Sequence, residues 1–212
     1  MSPALLIRKF IITLIFVSFC KVALSENVTD DKTISSDSTT QQVFTADDIT
    51  LTISSNATLS RSQKPIVTDN RSDVTVTINE GSEVFTTSGD NAIVGKSSTN
   101  LTVNNSGKIY SSGAKAVSFR QGSGATLSNN SGATIYAATN TISGNHNDTE
   151  NATITNSGTI YSTDASTNTI IFGVGSTGNS IVNNAGGEIY TEGTGGTIKL
   201  GASSTLTNSG TI

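Results

Sequence analysis

Val103-Asn-Asn-Ser-Gly-Lys-Ile-Tyr110 and Asn129-Asn-Ser-Gly-Ala-Thr-Ile-Tyr136 are two copies of one short phrase. It returns as Asn156-Ser-Gly-Thr-Ile-Tyr161, Asn183-Asn-Ala-Gly-Gly-Glu-Ile-Tyr190 and Asn208-Ser-Gly-Thr-Ile212. Self-similarity at a fixed period marks a repeat architecture. Aligning the aliphatic residue after each turn gives Leu59, Val84, Ile109, Ile135, Ile160, Ile189 and Ile212, at intervals of 25, 25, 26, 25, 29 and 23 residues. A second column runs Leu51, Val76, Leu101, Leu127, Ile154, Ile181 and Leu206, at intervals of 25, 25, 26, 27, 27 and 25. The longer step before Ile189 places extra residues in 161–179, at a corner, and 140–151 reads as a further polar excursion.

Each repeat holds three short β-rich pieces separated by Gly, Ser and Asn, as in Val84-Phe85-Thr86, Ala92-Ile93-Val94 and Leu101-Thr102-Val103. Strands this short bury a core only when each coil stacks on the previous one, about 4.8 Å away. Thr75-Val76-Thr77-Ile78 alternates with the period of a half-buried strand. No stretch carries the 3.6-residue spacing of a long helix, and after the leader Pro65 alone interrupts the donors of a ladder. These features predict an all-β fold: a right-handed parallel β-helix of about seven coils of roughly 25 residues. Asn and Gly suit the corners because they tolerate left-handed backbone angles. Asn can also hydrogen-bond to the Asn of the next coil, forming a ladder. Reading the Asn-Ser-Gly turns as phosphate loops fails, since no helix follows to supply an N-terminal dipole.

Residues 1–25 read as a secretory signal. Arg8 and Lys9 precede an apolar run from 10 to 20, too short to span a bilayer. Ala23-Leu24-Ser25 is a small-x-small cleavage site. A lipid anchor on Cys20, the only cysteine, is the competing reading, disfavoured by the bulky Phe19 before it. Residues 26–44 read as a flexible polar lead-in with Val43 and Phe44 covering the first coil, and 45–212 as the repeats. No later segment is long and apolar enough to cross a bilayer as a helix.

Ser, Thr and Asn together make 85 of 212 residues, while charged residues are 13%. So few charges argue against charge-driven disorder. Beyond the leader, 9 basic residues face 16 acidic ones, which excludes the basic face of a nucleic-acid binder. With no cysteine outside the leader, stability must come from the backbone ladder and core packing.

The Asn-Asn-Ser-Gly-x-Ile-Tyr repeats behind a signal peptide resemble the passenger domains of Gram-negative autotransporters. The resemblance covers about residues 45–212 and implies a right-handed parallel β-helix at the outer membrane, acting as an adhesin, biofilm factor or toxin. It implies a location in the periplasm, at the cell surface or outside a Gram-negative cell. It implies as partner a host-cell or matrix protein or glycan, or another copy on a neighbouring cell. The family's membrane β-barrel is not in the sequence, which stops at Ile212 within a repeat; the expectation is a fragment or truncated product of a longer passenger.

Phe85, Tyr110, Tyr136, Tyr161 and Tyr190 each follow the inward aliphatic residue of a coil, so they should point outward as an aromatic ladder. Cross-strand aromatic contact would stabilise the stack. A platform for glycan or protein contact is the functional alternative. A threonine column stands beside it: Thr50-x-Thr52, Thr75-x-Thr77, Thr126-x-Ser128, Thr153-x-Thr155 and Thr205-x-Thr207. Regular Thr-x-Thr arrays on β-helices can bind ice, but the reading places interruptions at Asn100 and at Ser180-Ile181-Val182.

No catalytic, cofactor or metal residue is expected. His146, the only histidine, sits in the polar run Gly144-Asn-His-Asn-Asp148, and no serine lies in a nucleophile motif. One histidine cannot build a transition-metal site alone. A β-helical polysaccharide-degrading enzyme is the alternative. It would need carboxylates from Asp47, Asp48, Asp69, Asp73 or Asp90 to converge with one another or with Arg61, Lys64, Arg71 or Arg120 in one groove.

Overall fold

The computed structural model describes residues 24–144, 149–163 and 166–212. The signal sequence, Cys20 and His146 lie outside the described residues, apart from the end of the leader at Leu24 and Ser25. Alternating residues dictate the local structure. Thr50–Ile53, Thr75–Ile78, Thr126–Asn129 and Thr153–Asn156 are four-residue strands whose second and fourth side chains are buried and whose first and third face outward. All pairings are parallel and join residues one coil apart.

Three sheets result, of eight, eight and six strands. The first opens with Ser25–Val28 and Gln41–Phe44 and runs to Ile198–Lys199. The second runs from Lys32–Ile34 to Thr205–Asn208, and the third from Thr58–Arg61 to Glu188–Thr191. The fold is the expected parallel β-helix. The coil count is smaller than expected: among the described residues six coils carry all three strands, with a two-strand partial coil on each side. The seventh aliphatic anchor, Ile212, follows an isolated bridge between Glu188 and Thr211 and lies in no strand.

Residues 26–44 are not a loose lead-in. They form strands Ser25–Val28, Lys32–Ile34 and Gln41–Phe44, because Val28, Ile34 and Phe44 are spaced to enter the core. Three buried apolar side chains outweigh a polar average, each worth roughly 1.5–3 kcal/mol when fully buried.

The core is a set of stacked columns. Leu59, Val84, Ile109, Ile135, Ile160 and Ile189 lie over one another in the third sheet. In the second sheet the column is Leu51, Val76, Val103, Leu127, Ile154, Ile181 and Leu206. Val103, and not Leu101, pairs with Val76. The two residues share a strand face, so alternation alone could not separate them. Leu101 is buried one position before its strand, at the corner. Some of the extra residues before Ile189 fall in the corner between Thr159–Ser162 and Ile170–Phe172, within the expected stretch; the others fall outside it, in the turn 184–187, which is longer than the corresponding turn 157–158.

Corners use two devices. Asp48, Asp73, Asn100, Asn151 and Ser203, with Gly124 and Gly178, adopt φ between 52° and 67° before the strands of the second sheet. In the Asn-Ser-Gly turns glycine has two separate reasons. Gly132 takes φ 79°, which favours a residue without Cβ. Gly107 does not; there a Cβ would lie 2.6 Å from the carbonyl oxygen of Asn79 on the coil before.

Candidate functional site

Outward-facing columns are what this architecture presents. Phe85, Tyr110, Tyr136, Tyr161 and Tyr190 all lie in the third sheet and pair in register, as the sequence places them. Successive ring centroids are 4.4, 4.9, 5.0 and 5.1 Å apart, with interplanar angles of 8°, 3°, 13° and 8°. The backbone spacing of about 4.8 Å sets this distance. The three inner rings therefore spend both faces on their neighbours, and the end rings, Phe85 and Tyr190, one face each. Along its length, what the ladder offers to solvent is ring edges and phenol hydroxyls, not flat faces on which a sugar could stack.

Charge is concentrated at two points of the ladder. Lys108 Nζ lies 4.8 Å from the Tyr110 ring centroid and 5.4 Å from that of Tyr136, and 3.6 Å from Glu83 Oε1. The Tyr110 hydroxyl donates to Glu83 Oε2 at 3.5 Å. Burial and then the Glu83 carboxylate push the Tyr110 phenol up to about 12. Burial also raises Tyr161 and Tyr190, with Glu192 adding to both and Glu188 to Tyr190.

A second column, inside the coil, is polar. Asn105, Asn129, Asn156, Asn183 and Asn208 pair in register. The Nδ2 of each of the first four, all buried, donates to the Oδ1 of the next at 2.8 Å, and the column ends at the exposed Asn208. The same Nδ2 atoms reach backbone carbonyls: Asn156 donates to Gly158 at 3.0 Å and to Glu188 at 3.1 Å. The Asn156 Oδ1 also accepts from the Gly158 amide at 3.3 Å. A buried amide is tolerated when its donors and acceptor are satisfied, and here they are. The repeated Asn text signalled this ladder. Alternation decides which Asn enters: Asn105, Asn129 and Asn183 are buried, while Asn104, Asn130 and Asn184 are not.

The outward face of the second sheet is more regular than the sequence suggested. Thr102, and not Asn100, pairs with Thr75. The first outward column is thus Thr50, Thr75, Thr102, Thr126, Thr153, Ser180 and Thr205. The second is Thr52, Thr77, Asn104, Ser128, Thr155, Val182 and Thr207. Asn100 lies at the corner, where its Nδ2 donates to Asp73 Oδ1 at 2.8 Å.

The acidic candidates do separate local jobs. Asp47 Oδ1 accepts from the Ser72 amide at 3.0 Å, and Asp69 Oδ1 from the Lys96 amide at 2.9 Å. Asp90 Oδ1 accepts from the Asn91 amide at 3.0 Å. Among the described residues no three His, Cys, Asp or Glu side chains gather as a metal-holding group. Arg71 lies 3.8 Å from Asp47. Arg61 is buried and its Nη1 donates to the Leu24 carbonyl at 2.6 Å. Arg120 is exposed, and Lys64 is half-buried with its carbonyl accepting from Gln41. Among the described residues, Arg71 alone of these four cations pairs with one of the acidic candidates, Asp47. Among the described residues no helix is long and apolar enough to cross a membrane. No family model, no curated protein and no solved structure matches the chain, so its own geometry carries the functional reading.

Proposed function

We propose that this chain is an exported adhesion protein of the autotransporter-passenger type, holding columns of identical side chains in fixed register for repeated weak contact at a cell surface. The observation that carries this reading is the aromatic column, five rings long and in register on one outer face. A rigid array multiplies weak contacts, because once one site engages its neighbours act at high effective concentration. Contact would be made through phenol hydroxyls and ring edges, so the favoured ligands are hydrogen-bonding ones, a glycan or a protein surface. Residues 1–25 would direct export, and the partner would be a host or matrix component or a second cell.

The test has two arms. The full chain is expressed in a Gram-negative host, the fractions are separated, and the mature N-terminus is read by mass spectrometry. Cleavage after Ser25 with recovery outside the cytoplasm supports export; a full-length cytoplasmic chain refutes it. Binding to immobilised matrix proteins and glycans is then compared with a Tyr110→Ser, Tyr136→Ser, Tyr161→Ser variant that remains folded. Loss of binding supports the ladder as the contact surface. Unchanged binding moves the contact elsewhere and overturns the role given to these tyrosines.

A further inference from the structure

The register of the second sheet points to a ligand of a different kind. Threonine occupies the first outward column without a break from Thr50 through Thr75, Thr102, Thr126 and Thr153. Thr52, Thr77 and Thr155 stand beside it, with Asn104 and Ser128 between them. Neighbours along a column are about 4.8 Å apart, and neighbours within a strand, two residues on, about 6.7 Å. The face is therefore a two-dimensional lattice and not a single row.

The hydroxyls of this lattice are unspent. Among the described residues, the Oγ1 atoms of Thr50, Thr75, Thr102, Thr126 and Thr153 make no hydrogen bond within the protein; the only side-chain bond between neighbours of this column joins Thr205 to Ser180 at 3.2 Å. From Thr50 to Thr153 no hydroxyl bonds its neighbour as Thr205 bonds Ser180, so each is left free to bond outward. No position in either column is charged, from Thr50 to Thr205 or from Thr52 to Thr207. β-branching restricts χ1, so the hydroxyls and methyls are held in place before any ligand arrives. Little side-chain entropy is then lost on binding.

A neutral partner with donors and acceptors repeating in two directions at these spacings is a crystal surface of water. A flexible glycan or a folded protein does not repeat in this way, and a charged polymer finds no counter-charge here. We infer that the Thr50–Thr153 face is an ice-binding surface, with hydroxyls entering the oxygen lattice of ice and the γ-methyls resting between its rows. It lies on the second sheet and is separate from the tyrosine ladder of the third.

The experiment measures the gap between melting and freezing points, and the inhibition of ice recrystallisation, with the full chain in buffer. The wild type should open a freezing-point gap and hold small crystals. Thr102→Lys and Thr126→Lys should lose most of that gap, and Thr126→Ser, which keeps the hydroxyl, should retain more of it than either. Thr134→Lys, on the third sheet beside Tyr136, should keep it fully. Circular dichroism at the working temperature verifies folding, and Thr126→Leu replaces any lysine variant that fails to fold. A wild type with no gap and no recrystallisation inhibition overturns the inference, as does equal loss in Thr126→Lys and Thr134→Lys. Either result leaves the adhesion reading standing, since that rests on the other face.

Discussion

Asn105 lies directly over Ile78 in the same inward column of the second sheet. Below this junction the column is Ile34, Ile53 and Ile78; above it the column is Asn105, Asn129, Asn156, Asn183 and Asn208. One position in the coil thus accepts either an aliphatic or an amide filling, provided that the neighbours match. Asn156→Ile should therefore destabilise the protein, although isoleucine is native three coils earlier, at Ile78. It would leave the Asn183 Oδ1 and the Gly158 amide each without a partner and would take from Asn129 Nδ2 its shortest bond. A cost of about 1–3 kcal/mol per unsatisfied buried group is expected, read as a lowered denaturation midpoint. Replacing all five asparagines by isoleucine should cost less per site than the single change.

Gly144→Val tests packing in the first sheet. Gly144 pairs with Phe172, and a Cβ at Gly144 would lie 2.6 Å from Phe172 Cδ1 and 2.9 Å from Thr149 Cγ2. Phe172 is fully buried in the core. Overpacking of about 1–3 kcal/mol is expected from thermal unfolding. Adding Phe172→Leu should recover part of it, which would show that the two changes are coupled.

The middle rung of the ladder should matter more than its ends. Tyr136 stacks on both Tyr110 and Tyr161, whereas Phe85 stacks only on Tyr110. Tyr136→Ala should lose about 0.5–1.5 kcal/mol for each of the two contacts beyond its area term, and Phe85→Ala for only one. Tyr136→Phe should keep nearly all of it. A double-mutant cycle between Tyr136 and Tyr161 isolates the stacking energy, and a coupling near zero would reduce the ladder to a consequence of register.

Alkaline pH should weaken the fold in a defined window. The phenols of Tyr110, Tyr161 and Tyr190 titrate above their ordinary value, Tyr110 at about 12. The folded chain thus keeps protons that the unfolded chain releases near pH 10. The stability linked to these groups is complete below about pH 10 and is lost as pH rises toward the folded values. Phenolate absorbance should show a late step missing from Tyr110→Phe. Denaturant midpoints should fall between about pH 10 and 12 in the wild type and fall less in that variant.

The sequence made the third sheet legible because its Asn-Ser-Gly turns sit directly before Ile109, Ile135 and Ile160 and fix their phase. Between one strand of the second sheet and the next, the connections on either side of the third sheet vary in length, as 79–82 against 106–107 and 87–92 against 112–116 show, and there Leu101 displaced Val103 in the alignment. A two-residue slip keeps every side chain on its face, so only strand pairing exposes it. That slip also hid Thr102 and made the threonine face look broken. Within residues 26–44 only the covering role of Phe44 was legible; the strands were not, because composition averages over positions, whereas burial depends on where Val28 and Ile34 fall. The outward direction of the tyrosines was legible; that their faces would be taken up by one another was not, since it depends on interplanar angles.

The asparagine column has a sense as well as a register. From Asn105 to Asn208 every amide nitrogen faces the next coil and every amide oxygen faces the previous one. Their dipoles add head to tail, and each bond polarises the one after it. A rod that looks alike from coil to coil therefore has an electrical direction, with its negative pole beside Ile78 and its positive pole at Asn208.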